Sequence, residues 1–220
     1  MNQLMTLVLS ATMQTLEMVI LSTLFSLLLG LPLGVLLSIT ASEQQGGIIS
    51  HPILNQVLGR IVNVLRSFPF IILMIILFPL SRIILGTSIG TTAAIVPLSI
   101  AAAPFVARVI ESALKEVDPG VVQAAKSMGS TNWQIIIKVL IPEAMPSLVA
   151  GITLTIINLI GYSAMAGAIG GGGLGDLAIR YGYQRFRGDV MVVSVIVILV
   201  MVELVQVVGD KIVAKLMEKR

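Results

Sequence analysis

Five long apolar runs constrain what this chain can fold into. They cover residues 15–39, 57–80, 89–109, 145–168 and 190–208. Each is close to the ~20 residues that a helix needs to cross about 30 Å of hydrocarbon. Inside a bilayer every backbone amide must find its partner within the protein, which a helix achieves by itself. Composition agrees: of 220 residues 56% are hydrophobic and only 11% charged, against roughly a quarter charged in soluble domains. A single soluble core of this size cannot bury so much apolar surface. The expected fold class is all-α: a polytopic, multi-pass membrane protein with five transmembrane helices, forming a single domain over residues 1–220.

Proline and glycine interrupt the first three spans: Gly30, Pro32 and Gly34, then Pro69 in the stretch Arg66-Ser67-Phe68-Pro69-Phe70, then Pro97 and Pro104. Such residues are tolerated in membrane helices that kink, pack closely or line a path, so they do not end the spans. Residues 1–12 are expected to be a short segment before the first span, which places Glu17 at an interface. Residues 41–55 are a polar connector with Glu43, the Gly46-Gly47 pair and His51-Pro52. A short turn is expected around Arg82 and Gly86. With no cysteine and a lone His51, no disulfide or multi-histidine metal site is expected. No basic region precedes the first run, so no cleavable signal peptide is expected.

Five spans place the termini on opposite sides, and charge decides which way. With the amino terminus outside, the inner side holds Arg60, Arg66, Arg108, Lys115, Lys126, Lys138, Lys211, Lys215, Lys219 and Arg220, ten of the fourteen Lys and Arg residues. The outer side holds Arg82, Arg180, Arg185 and Arg187. The positive-inside rule favours this orientation. The net charge of +3 is a topology signal and not a nucleic-acid footprint.

The longest polar interruption, residues 118–143, then faces the cytoplasm. Asp118-Pro119 supplies an N-cap and a first-turn proline. Val121, Ala124, Ala125 and Met128 follow at i, i+3, i+4 and i+7, and Gly129 ends that helix. Ser130, Thr131 and Asn132 offer a second N-cap, after which Trp133, Ile136, Ile137 and Leu140 repeat the spacing before Pro142. Each half carries an apolar stripe. The pattern alone suits a pair lying on lipid, a pair packed under its own bundle, or a surface held by a partner.

The order Gln123-Ala124-Ala125, three residues, Gly129, nine residues, Val139-Leu140-Ile141-Pro142 resembles the "EAA" loop of bacterial ABC-importer permeases. Gln123, Val139 and Ile141 stand where that pattern has Glu, Ile and Leu. Several further segments closely resemble the methionine importer permease family: Arg66-Ser67-Phe68-Pro69-Phe70-Ile71-Ile72-Leu73, Gly86-Thr87-Ser88-Ile89-Gly90, Ala103-Pro104-Phe105-Val106-Ala107-Arg108, Gly161-Tyr162-Ser163-Ala164-Met165 and Ala168 to Gly175. The resemblance implies a plasma (inner) membrane subunit that pairs with a second copy of itself. It also implies two cytoplasmic ABC ATPases and an extracytoplasmic methionine-binding protein.

On that resemblance Gln123, Ala124, Ala125, Lys126, Gly129 and Trp133 form the ATPase-coupling surface. No Gly-x-x-x-x-Gly-Lys-[Ser/Thr] occurs, so no cofactor is expected on this chain, and ATP and Mg belong to the partner. No catalytic set is visible, and the expected role is transport. For the translocation path the fourth span offers Asn158, Tyr162, Ser163 and Met165, since polar groups in mid-membrane face a bundle interior or a cavity. Ordinary helix packing explains the same residues. Gly170 to Gly175 reads as a flexible gate or as a turn before a re-entrant segment. Glu203 and the broken helices also allow a proton-coupled secondary transporter, and another small amino acid or thioether is the alternative substrate.

Overall fold

A computed structural model describes residues 2–42 and 47–218. Glu43 and Gly46 of the expected connector, and Lys219 and Arg220 of the basic tail, lie outside the described residues. Among the described residues ten α-helices follow one another: α1 (Asn2–Ile39), α2 (Pro52–Ser67), α3 (Phe70–Leu85), α4 (Thr91–Lys115), α5 (Pro119–Ser127), α6 (Asn132–Ile135), α7 (Ile141–Glu143), α8 (Met145–Ala166), α9 (Gly173–Leu177) and α10 (Gly188–Met217). Wider π-helical turns occupy Ile136–Leu140, Gly167–Gly171 and Ala178–Tyr183.

Among the described residues four helical stretches are long and apolar enough to cross a membrane: Leu4–Ile39, Thr91–Lys115, Met145–Gly171 and Gly188–Met217. The fifth candidate is α2 with α3, and here the expected continuous helix over 57–80 is corrected. The two helices meet at 102°. Pro69 has no N–H to give and pushes Phe68 out of the α region, so the chain breaks there. It restarts with Pro69 as the N-cap of α3, at φ −56° and ψ 125°.

The expected short segment over residues 1–12 is also corrected. It is helical from Asn2 and continuous with the first span, which puts Glu17 within the helix, where it is exposed. Nothing in 1–12 breaks a helix, and Pro32 is accommodated inside α1. Arg82 lies in the last turn of α3, and only Gly86 forms the turn, as the left-handed cap at φ 78°.

The chain divides into two compact units. The first comprises Met1–Leu27, Phe68–Ala103 and Leu154–Val207. Its core is built on Met18, Met74, Leu98, Leu159 and Ile160, with a second cluster of Ala11, Leu174, Leu177 and Val190 joining α1, α9 and α10. The Ser81 hydroxyl donates to the Ala93 carbonyl at 2.8 Å, tying α3 to α4.

The second unit comprises Leu28–Ser67, Pro104–Thr153 and Val208–Arg220. Leu37, Val62 and Ala107 meet at its centre. Asn55 closes the approach to α2 by donating to the Leu37 carbonyl at 2.6 Å and to Thr40 Oγ1 at 3.1 Å.

Candidate functional site

The segment from Asp118 to Glu143 folds as two helices joined at Gly129, each end closed by a specific cap. The Asp118 carboxylate accepts from the Gly120 amide at 2.7 Å and Pro119 opens α5. At the far end Gly129 adopts φ 80°. The Ser130 amide reaches back to the Ala125 carbonyl at 3.1 Å, and that of Gly129 to Lys126 at 3.0 Å. This is the paired arrangement of a Schellman turn. Of the three residues that could cap the second helix, Thr131 does so. Its hydroxyl accepts from the Gln134 amide at 3.3 Å, while the Gln134 side chain accepts from the Thr131 amide at 2.9 Å.

The stripes divide between inside and outside. Val122, Ala125, Ile135, Ile136 and Leu140 are buried. Val121, Met128 (79% exposed), Trp133 (69% exposed) and Ile137 face outward. Of the expected coupling residues, Gln123, Ala124, Lys126, Gly129 and Trp133 are exposed, and Ala125 instead anchors α5 to its own unit. The outward face is therefore apolar at its ridge and framed by Gln123 and Lys126.

Beyond this surface the backbone hardly pauses. Pro142 lacks the N–H that would bond the Lys138 carbonyl. The turn before it widens, so that the Ile141 amide bonds to Ile136. Helical bonding then resumes from the Ala144 amide to Leu140 and from the Leu148 amide to Ala144. The second half of the surface is thus the beginning of a helical run that continues into α8.

Within the first unit, α8 carries the four residues expected along a path. Tyr162 stacks on Phe70 with ring centroids 3.7 Å apart and an interplanar angle of 13°. Asn158 is partly exposed and Met165 exposed. Ser163 turns inward: it is buried, and its hydroxyl donates to the Ile160 carbonyl at 2.7 Å. Leu154, Asn158, Gly161 and Met165 recur at helical spacing, giving α8 one open face.

The glycine run after α8 is a turn stitched into its unit. Gly170, Gly172 and Gly173 take φ 96°, 76° and 80°, conformations closed to most side chains. From α1, Gln14 Oε1 accepts from the Gly173 amide and Thr15 Oγ1 from the Leu174 amide, each at 2.9 Å. The Gly170 carbonyl accepts from the Gly90 amide at 3.0 Å.

One acid escaped the sequence reading. Glu111 on α4 is buried, with its side chain 5% exposed, and holds Arg108 at 2.6 Å and Lys115 at 2.8 Å. Arg108 also donates to the Gly59 carbonyl and to Asn63 Oδ1, both at 3.0 Å. The spacing Arg108, Glu111, Lys115 was the available signal, because i, i+3 and i, i+4 pairs share a face. Glu203, singled out as an acid within a span, is exposed on α10 beside Leu199, Val200 and Leu204.

The model of the family described as "Binding-protein-dependent transport system inner membrane component" matches residues 30–219. The chain belongs to that family. This inner membrane component is 52% identical over 209 residues to the probable D-methionine transport system permease protein MetI of Vibrio cholerae, covering 95% of this chain and 92% of that one. To the methionine import system permease protein MetP of Bacillus subtilis it is 48% identical, covering 80% and 79%.

Among solved structures, a chain of the MetNI methionine ABC transporter in inward-facing conformations superposes with a TM-score of 0.95 at 45% identity, covering 98% and 99%. A chain of an amino acid ABC transporter with histidines shares the fold, at a TM-score of 0.73 and 22% identity over 100% and 97%. A transport component of this family, with several apolar spans, is a multi-pass protein of the bacterial inner membrane and works by transport, not catalysis.

Proposed function

We propose that this chain is the permease subunit of an ATP-driven importer of methionine, in the L or D form, or of a closely related amino acid. Residues 1–220 act as one permease domain. Two copies of the chain form the path across the membrane, and each presents residues 118–143 to one of two separate ABC ATPase subunits that bind ATP and Mg. An extracytoplasmic binding protein delivers the substrate from the amino-terminal side, and the carboxyl terminus and the coupling surface lie inside. The charge asymmetry and the methionine permeases among the relatives support this arrangement.

The observation that carries the reading is the exposed apolar ridge of Val121, Met128, Trp133 and Ile137 around the Gly129 turn. Large aromatics dominate buried contacts, so Trp133 is the anchor in a groove of the ATPase, with Gln123, Ala124, Lys126 and Gly129 around it. Capping at both ends keeps the surface stiff. The helical run from Asn132 into α8 carries its displacement toward the residues of the path. There Asn158, Tyr162 and Met165 supply the lining, and Ser163 packs behind them. A thioether suits Tyr162 and Met165 because methionine contacts are soft and adaptable.

The test is uptake of labelled methionine into vesicles holding this chain, its co-purified ATPase and the binding protein. Uptake should follow ATP and survive collapse of the proton gradient. Uptake that persists without ATP and stops with the gradient would instead identify a secondary transporter.

A further inference from the structure

Residues 118–143 are joined to the rest of the second unit at two ends, and the two ends differ in stiffness. At the first, only Glu116 and the buried Val117 separate the end of α4 from the Asp118 cap. At the second, Pro142 and Pro146 stand four residues apart, and each removes one helical hydrogen bond. Between them Ala144 lies at φ −81° and ψ −3°, at the edge of the helical region. Helices bend where such bonds are missing, so the run from the coupling surface into α8 has a joint at 142–146.

One side-chain bond reaches past that joint. The Ser147 hydroxyl, in the first turn of α8, donates to Glu116 Oε2 at 2.5 Å, joining residues 31 positions apart. Bonds to a carboxylate are about twice as strong as those between neutral groups. The neighbouring cations Arg108 and Lys115 are both spent on Glu111, and Glu116 forms no ion pair among the described residues. One turn further along α8 the two helices touch, because a Cβ at Gly151 would overlap Val109 Cγ1. Thus α4 and α8 pack at Val109 and Gly151, and Glu116 with Ser147 closes the loop that carries the surface.

We propose that the Glu116–Ser147 bond is a brace that positions the coupling surface against α4 and α8 together. With the brace in place, displacement of residues 118–143 moves the start of α8. Without it, the same displacement is absorbed by bending at the Pro142–Pro146 joint, and ATP is hydrolysed without uptake. Both are positioning residues and stand outside the ridge that the partner touches. This role rests on the importer reading given above.

The test uses the full chain with its co-purified ATPase and binding protein in vesicles, and reads methionine taken up per ATP hydrolysed. A hydrogen bond to a charged group shifts a closed-to-open ratio by about tenfold. Glu116→Ala and Ser147→Ala should therefore each lower uptake per ATP roughly two- to fivefold, while hydrolysis and the co-purifying ATPase are kept. The double variant should be no worse than either single one, as expected of two ends of one bond. Ser147→Thr retains the hydroxyl and should retain coupling.

The chain has no cysteine, so Glu116→Cys with Ser147→Cys allows the brace to be rebuilt covalently. Bridging the two thiols with a short bifunctional methanethiosulfonate should restore uptake per ATP, and dithiothreitol should remove it again. The parent complex treated with the same reagents sets the baseline. Unchanged uptake per ATP in both alanine variants would overturn the brace. So would a loss that bridging leaves unrepaired, or one that follows a lowered melt or lost ATPase. ATP-driven uptake by the parent with any of these results removes the brace alone. A parent without ATP-driven uptake removes the importer reading and the brace with it.

Discussion

Gly129 offers the sharpest test of the coupling surface, because the structure separates what a side chain there does to this chain from what it does to a partner. A Cβ built at Gly129 meets no atom within 4 Å. Substitution therefore disturbs only the backbone, whose φ of 80° costs an L-residue about 1 kcal/mol. That cost is nearly the same for alanine and for tryptophan. Gly129→Ala and Gly129→Trp should thus melt within a few degrees of each other and of the parent, since about 1 kcal/mol shifts Tm by roughly 2–4 °C at this size.

The partner, in contrast, discriminates strongly between them. Tryptophan presents about 200 Å² of new surface in the middle of a ridge that has to seat in a groove. Disrupting the centre of such a patch costs about 2 kcal/mol or more, ~30-fold in affinity. Gly129→Trp should therefore lose co-purifying ATPase and ATP-driven uptake, while Gly129→Ala keeps most of both. Normal uptake by the tryptophan variant would show that Gly129 lies outside the interface. A melt far below that of Gly129→Ala would show that the surface is packed against the chain itself.

Glu111→Ala should destabilise the subunit by about 2–3 kcal/mol, below the 3–5 typical of a fully buried pair, because Arg108 and Lys115 keep 24% and 35% exposure. A thermal melt in detergent checks this. Gly175→Ala should cost at least about 2 kcal/mol, since its Cβ would sit 2.3 Å from the Ala164 backbone; an unchanged melt would contradict the close approach of α8 and α9. Gln14→Ala with Thr15→Ala removes two hydrogen bonds from the glycine turn, so amide exchange at Gly173 and Leu174 should accelerate by about tenfold or more. Met165→Ala should alter uptake with little change in Tm, whereas Tyr162→Ala should also lower Tm by losing its stack on Phe70, worth about 1 kcal/mol beyond area.

Much of the candidate site was legible before any fold was known, because its signals are local. Asp118-Pro119, Gly129 and Thr131 act through hydrogen bonds within a few residues of themselves, and each forms the expected boundary. The pairing of one apolar stripe with each helix was legible only in part. Helical spacing places Val121, Ala124, Ala125 and Met128 near one another, but which edge of that stripe is covered depends on the neighbours of α5. Ala125 and Val122 turned inward, and Met128 and Trp133 were left outside. Ser163 shows the same limit: its position in a span was clear, and its inward rotation was not.

Residue type and spacing alone determined that this chain crosses a membrane as helices and carries a helix–glycine–helix surface between two spans. Hydrophobic length and caps are properties of short stretches, and no distant contact has to form for them to act. Only the tertiary structure decided that the second span breaks at Pro69 and that residues 2–12 extend α1. It also decided that Glu111 is buried between two cations and that Gln14 and Thr15 hold the glycine turn. The burial of Glu111 and the bonds from Gln14 and Thr15 depend on groups far apart in sequence, the break at Pro69 depends on whether packing tolerates a proline as a kink or resolves it as a break, and the start of α1 depends on how far a helix without a breaker runs; a linear pattern contains neither the neighbour nor the space around it.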